Sequence, residues 1–414
     1  MRLLPPVVGV LFIPMASLAQ APSVPPEAPG SEITISLVTV GQGPAIWERF
    51  GHNAIWVEDR ARGTSRTYNY GMFDFRQESF VLRFIRGRML YSMMSENPQA
   101  EFRRYRAQDR TVWVQELNLT PSQRIELRDT LEWNDLPENR EYRYDYYEDN
   151  CSTRIRDALD RALGGEIRRQ TENAVTESTL RFHTQRLTTD NVPYYTGLLI
   201  ALGPSVDRPI SQWQEMFLPL SVMEHLRGVT VPGPDGSRQP LVLAEHVVYE
   251  STGPAPDAAP PSWGLRYFLA GIVLASIIWW LGGGKRRGVS VAFAGLATLW
   301  ALAVGILGAV LLGLWAGTDH AVAYWNENLF LFNPLSLALG VVIPFVALGA
   351  RRAMRPAAIL GLAVAVSSTV GFMVQVLPWL DQVNGQLYAL FLLPNVAVGI
   401  RVVQLADAQV APSS

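Results

Sequence analysis

The chain contains a single cysteine, Cys151, among 414 residues. Asp149 and Asn150 precede it, and Ser152-Thr153-Arg154-Ile155-Arg156-Asp157 follow. Ile155, Ala158, Leu159, Ala162 and Leu163 recur at helical spacing, and Gly164-Gly165 end the run. Asp149 or Asn150 is a suitable N-cap, so Cys151 is expected in the first turn of a helix. There the positive end of the helix dipole favours the thiolate, and free backbone N–H groups can hold an oxyanion. The alternative is a buried structural cysteine, the usual fate of a free thiol. A position after Asp-Asn and before three polar residues is not an apolar niche.

A thiol nucleophile needs a base within hydrogen-bond reach. Of five histidines, His183, His225 and His246 stand in mixed contexts and read as surface or packing residues. His320 falls in a loop of the apolar C-terminal third. His52 lies in Phe50-Gly51-His52-Asn53-Ala54-Ile55-Trp56-Val57, where a glycine frees the backbone and an alternating strand begins. That pattern presents an imidazole at a sheet end; a satisfied turn histidine is the alternative. A third group should orient the ring. Asn69, in Tyr68-Asn69-Tyr70-Gly71, is placed to do so, and a turn-forming Asn beside Gly71 is its alternative.

These residues need a sheet and a helix to bring them together. Residues 32–40 (EITISLVTV), Asn53–Glu58, Thr67–Tyr70 and Val112–Leu119 read as strands. A helix is expected from Thr120-Pro121-Ser122 through Trp133, with Thr120 or Ser122 as its cap and Glu126 and Glu132 on its face. Residues 76–104 mix aromatic residues with Arg and give no clear period. Residues 205–250 read only as part of the soluble region, although Trp213–Pro219 is apolar enough to lie against a core or a membrane.

Charge divides the chain in two. Residues 263–414 hold only 8 of the 35 basic and 4 of the 37 acidic side chains. The near-neutral total of −2 provides no global field for nucleic acid. One cysteine excludes a disulfide scaffold, a Cys-based zinc site and an iron–sulfur cluster. There is no Gly-x-x-x-x-Gly-Lys phosphate loop and no His-Glu-x-x-His zinc motif, and no cofactor is called for.

Residues 1–21 read as a signal peptide: Arg2, an apolar stretch, then Ala19-Gln20-Ala21. An uncleaved anchor is the alternative, and Pro5, Pro6 and Pro14 disfavour a spanning helix. Residues 22–30 form a Pro-rich linker, 31–252 a soluble domain, and 253–262 a second Pro-rich linker. Tyr267–Gly284, Val289–Trp315, Leu335–Gly349, Ala357–Leu380 and Val383–Ile400 are apolar runs in a five-helix membrane domain, 263–404, before a tail, 405–414. The third run needs part of Leu329–Asn333, and the fifth contains Pro394 and Asn395.

Lys285, Arg286 and Arg287 follow the first run; Arg351, Arg352 and Arg355 follow the third; Arg401 follows the fifth. The opposite loops, 316–334 and 381–382, carry no Lys or Arg. The positive-inside rule therefore puts residues 31–262 outside and the C-terminus in the cytoplasm. The expected location is the inner membrane, with the soluble domain in the periplasm. The outer loop Gly317–Pro334 carries Asp319, His320, Asn326, Glu327, Asn328 and Asn333 among aromatic residues. It is either an interfacial belt or a holder for a polar headgroup or a substrate amine.

GHNAIWV, YNYGMFDF and YRYDYYEDNCSTRIRDAL, followed by five apolar runs, resemble the Lnb-type lipoprotein N-acyltransferases over nearly the whole mature chain. The resemblance implies an α+β, circularly permuted papain-like or NlpC/P60-like domain followed by an all-α membrane domain. It implies Cys151 as nucleophile and His52 as base; Asn69 as the third member is our own inference. It also implies ping-pong acyl transfer from a membrane phospholipid to the amine of the lipid-modified cysteine of diacylated bacterial lipoproteins. Asn150, Arg154, Tyr70, His320, Asn326 and Asn328 are the candidates for positioning substrate. Arg154 and Arg156 suit a lipid phosphate but equally suit a solvated helix face, and Tyr144, Tyr146 and Tyr147 suit packing. Two other classes stay open: a cysteine hydrolase of lipid esters or peptidoglycan peptides, and a non-enzymatic membrane assembly factor.

Overall fold

Strand β1 (Ile33–Val40) is buried along both faces, which makes it the centre of the soluble domain. The computed structural model describes residues 28–233, 235–284 and 287–410. The expected signal peptide, most of the first linker, the basic pair Lys285 and Arg286 and the end of the tail lie outside the described residues. Around β1 stand β2 (His52–Asp59), β3 (Thr64–Met72), β4 (Leu90–Glu96), β5 (Val112–Leu117), β6 (Glu141–Arg143) and a last strand, Val242–Tyr249. They form one antiparallel sheet in the order Val242–Tyr249, β5, β1, β2, β3, β4, β6.

The strand pleat separates two sets of side chains. Ile33, Ile35, Leu37, Ile55, Val57 and Tyr68 meet one helical layer. Val38, Val40, Ala54, Val112 and Val114 meet another. Helices α1 (Phe80–Ile85), α2 (Pro98–Ala107), α3 (Pro121–Asn134) and α4 (Cys151–Ala162) follow in chain order. Leu127 and Leu131 of α3, with Ile155 and Leu159 of α4, cover the first face. Tyr105 and Phe102 of α2 cover the second. Thr120 caps α3 with a reciprocal Gln123 bond, as its sequence predicts. β4 and α2 occupy the stretch whose period is not readable. Trp213, Met216, Phe217 and Leu218 pack into the soluble domain, which settles the two readings of that segment in favour of the core.

Five short helices complete this half: α5 (Glu166–Thr171), α6 (Leu180–Arg186), α7 (Val192–Ala201), α8 (Gln212–Glu215) and α9 (Pro219–Leu226). His183 and His225 both bond the carboxylate of Glu215, at 2.8 and 2.6 Å, so they are packing residues. The second Pro-rich linker is tied down at Asp257, whose carbonyl and carboxylate accept from Arg186 and Thr189.

Helices α10 (Gly264–Gly282), α11 (Arg287–Gly317), α12 (Leu335–Ala347), α13 (Arg351–Val374) and α14 (Gly385–Val410) form the second half. Among the described residues five helical segments are long and apolar enough to cross a membrane: 264–282, 290–317, 327–347, 351–374 and 385–408. The third includes the short turn Glu327–Phe330, the extension its sequence requires. α14 runs to Val410, beyond the boundary expected at 404. Asn395 faces inward: its amide donates to Leu331 O and Ser368 Oγ and accepts from the Trp300 indole. That arrangement removes the objection to a polar residue in the fifth span. The architecture is an α+β domain followed by a helical membrane domain, as expected.

The halves are joined at α7. Tyr195, Leu199 and Ile200 pack among Val304, Leu311, Phe332 and Leu387 of the membrane helices. The last turn of α7 leaves carbonyls without helical partners. Asn326 Nδ2 donates to Ile200 O and Ala201 O, Asn328 Nδ2 to Leu199 O and Ile200 O, and Gln382 Nε2 to Leu202 O, all at 2.9–3.1 Å. Asn328→Ala leaves the Leu199 carbonyl unpaired and takes one of two donors from Ile200 O, at a cost of about 1–3 kcal/mol. Limited proteolysis of the purified full chain should cut faster between 192 and 263, with Cys151 alkylation unchanged. Unaltered protease resistance would contradict this account of the joint.

Candidate active site

Cys151 opens α4 as the sequence predicts, and Asn150 is its cap. Asn150 Oδ1 accepts from the backbone N–H groups of Ser152 and Thr153 at 2.8 and 3.0 Å, and its amide donates to Tyr146 O and Phe217 O. The cap takes two first-turn donors but not the N–H of Cys151 itself. Cys151 is half-buried. Its Sγ lies 3.8 Å from Ser152 Oγ.

His52 is the first residue of β2. Gly51 before it has φ +86°, and a Cβ there would stand 2.7 Å from Val40 O, so a glycine is required to turn the chain into the strand. His52 Nε2 is 2.8 Å from Asn69 Oδ1 on β3. α4 covers the other face of the sheet, so the thiol and the imidazole meet only at the sheet end. Gly71 makes this possible. The register of β3 breaks between Asn69 and Met72, and Gly71 adopts φ +85° with its Cβ position 3.1 Å from Cys151 Cβ. Any side chain there would push against Cys151.

Cys151 and His52 shift each other. Burial alone raises the Cys151 thiol, but the charge of His52, its hydrogen bond, the Asn53 backbone N–H and the Ser152 hydroxyl together bring it below the ordinary value. Burial alone lowers His52, yet the charge and hydrogen bond of Cys151, with Asn69 and Glu101 behind, raise it. Both directions favour a thiolate–imidazolium pair.

Glu101 on α2, fully buried, completes the chain of contacts. Its Oε2 accepts from Thr67 Oγ1 and, at 3.4 Å, from Asn69 Nδ2, while Oε1 accepts from Tyr105 OH at 3.1 Å. A carboxylate only accepts, so it draws the NH2 of Asn69 toward itself and turns Oδ1 toward His52. Nε2 of His52 therefore carries the proton of that bond, and Nδ1 is left for the thiol. Glu101 falls in the stretch with no clear period. The one available signal is Asn97-Pro98 as a helix start, which places Glu101, Phe102 and Tyr105 on one face.

The other candidates stand apart from the thiol. Asn150 is committed to capping. Tyr70 is buried with its ring edge toward Tyr142, its hydroxyl pushed up to about 12 by burial. Arg154 pairs with Asp149 and lies 4.1 Å from the Tyr142 ring. Tyr70 and Arg154 line a polar cavity of about 290 Å³ that includes neither Cys151 nor His52. Asn326 and Asn328 are buried at the α7 joint, their amides spent on carbonyls. His320 bonds Phe84 O at 2.9 Å and stacks on Tyr146, so it supports α1. The structure thus joins Cys151, His52 and Asn69, and gives four of the remaining six candidates structural partners in place of an open substrate face.

The Cys151 alkylation rate with iodoacetamide should rise with pH through a midpoint below that of a free thiol. Asn69→Ala and Glu101→Ala should move that midpoint up, and His52→Ala should move it furthest. A midpoint unchanged in all three would contradict the pairing.

Residues 27–189 match the family model of the Lnb N-terminal periplasmic domain. No curated protein and no solved structure matches the chain. The matched segment contains β1 through α6, and with them His52, Asn69, Glu101 and Cys151. Over residues 27–189 the chain is thus similar to the Lnb N-terminal periplasmic domain, consistent with the Lnb-type lipoprotein N-acyltransferase family.

Proposed function

We propose that the protein is a lipoprotein N-acyltransferase of the inner membrane, with its α+β domain in the periplasm and its C-terminus in the cytoplasm. The observation that carries this reading is the Cys151–His52–Asn69 chain at a helix N-terminus, in an Lnb-like domain fixed to five membrane helices. Such a site acts on an acyl donor that stays in the bilayer.

The Cys151 thiolate attacks an ester carbonyl of a phospholipid, and the oxyanion is held by the free N–H of Cys151. The C–O bond breaks as the His52 imidazolium gives its proton to the departing lysophospholipid. An acyl thioester and a neutral imidazole remain. The α-amine of a diacylated lipoprotein's N-terminal cysteine then attacks the thioester, and His52 Nδ1 takes the amine proton. Collapse expels the thiolate and restores the ion pair, leaving an amide. Ester to thioester to amide needs no external energy source.

The test is expression in a bacterium depleted of its own lipoprotein N-acyltransferase, with mass spectrometry of the N-terminal peptide of an abundant lipoprotein. Wild type should add one acyl chain. Cys151→Ala should add none, and His52→Ala should lower the rate by about 10²-fold or more. Free fatty acid with no acylated peptide would favour hydrolysis instead. Acylation by Cys151→Ala would remove the thiol from the mechanism.

A further inference from the structure

Helix α1 has no buried residue. Val81, Leu82, Phe84 and Ile85 are each about half exposed or more, at 46–68%. Val81, Leu82 and Ile85, with Phe75 and Phe80, border an open groove of about 540 Å³. A contiguous apolar face of this kind needs an occupant.

The position of α1 identifies it. The chain just past α1 is fastened to the loop that follows the second membrane span. Asp319 N donates to Arg86 O at 2.9 Å, and the Asp319 carboxylate accepts from Arg88 and Arg143 at 2.8 and 2.7 Å. Gly87, at φ +69°, lets the two backbones close: a Cβ there would stand 2.9 Å from His320 N. Asp319 is two residues beyond the end of α11 at Gly317. Trp315 and Trp325 pair at 4.7 Å beside it, the aromatic placement of a membrane–water interface. α1 is therefore held at the level where the spans end.

Its charge fits the same surface. The guanidinium groups of Arg83 and Arg86 have no protein partner among the described residues. Free cations beside an apolar helix face suit phospholipid phosphates over acyl chains.

A row of rings leads inward from α1. Phe80 stacks on Phe73 at 6.2 Å, Phe73 on Tyr91 at 5.0 Å, and Tyr91 on Tyr144 at 4.1 Å. Tyr144 and Cys151 pack against the same core.

From these contacts we infer that α1 lies in the outer leaflet of the membrane, and that the Phe80–Phe73–Tyr91–Tyr144 row receives the acyl chain of a phospholipid and directs its ester toward Cys151. The lipid contact stands on the geometry of α1; delivery to Cys151 rests on the acyl-transfer reading.

The experiment uses the full chain in phosphatidylethanolamine–phosphatidylglycerol vesicles doped with a phospholipid carrying a diazirine at its acyl terminus. Photolysis should place crosslinks on α1, mapped by peptide mass spectrometry, in addition to those on the membrane helices. Leu82→Glu with Ile85→Glu should lower α1 crosslinking and the acylation of Cys151 by vesicle phospholipid by at least about tenfold. Leu82→Phe with Ile85→Phe should retain both. Iodoacetamide alkylation of Cys151 should be equal in all these proteins, which shows an intact site. Crosslinks confined to α10–α14, crosslinks on α1 unaffected by the Glu pair, or equal losses of lipid acylation and thiol alkylation would overturn the proposal. Crosslinks on α1 without acylation of wild-type Cys151 would uphold the lipid contact and sink the acyl-transfer reading.

Discussion

The buried carboxylate of Glu101 sets the polarity of the whole site. An asparagine amide has two ends of nearly equal shape, and a histidine has two tautomers, so the sequence of contacts from α2 to the thiol has several possible settings. A carboxylate that can only accept removes that freedom. It fixes which end of Asn69 faces His52, hence which nitrogen of His52 holds its proton, hence which nitrogen is free to act on Cys151. The neighbours of Glu101 serve the same end: Thr67 and Tyr105 occupy its remaining lone pairs, so that no orphaned charge is left in the core.

The sheet imposes a second constraint. His52 and Asn69 belong to the face covered by α2, whereas Cys151 begins a helix on the opposite face. Only at the sheet end, over a residue without a side chain, do the two sets meet. Gly71 is that residue, and Gly51 gives His52 its start at the same end. Both glycines have positive φ, so the site depends on backbone that other residues adopt at a cost. A third constraint ties the site to the membrane. The α7 joint spends the amides of Asn326, Asn328 and Gln382 on carbonyls, and the Asp319 contacts hold α1. These contacts join the domain that carries Cys151 to the membrane helices, which on the acyl-transfer reading suits a donor that stays in the bilayer.

The placement of Cys151 and His52 was legible because their local signals are strong. Cys151 has a cap before it, a helical period after it and a double glycine at its end. His52 has a glycine and an alternating strand. The five spans stand out by apolar length alone, and the charge of their loops gives a direction. Glu101 was not legible, since its partners Thr67 and Asn69 are more than thirty residues away and no period marks its helix. The polar outer loop misled for a related reason. Asn326 and Asn328 among aromatic residues have the composition of a binding loop, and only the position of the α7 carbonyls reveals what they bind. Sequence pattern reports one element's own face; a hydrogen bond between two elements leaves no local trace.

The central claim is that Cys151, set by His52, Asn69 and Glu101, takes an acyl chain from phospholipid. Intact-mass spectrometry of the purified full chain after incubation with phospholipid vesicles, with no lipoprotein acceptor present, tests it most directly. The account predicts the mass of one acyl group, localised to Cys151, removed by neutral hydroxylamine and absent in Cys151→Ala. An unmodified Cys151 while the same preparation acylates a lipoprotein peptide, or an acyl group that hydroxylamine leaves in place, would contradict it.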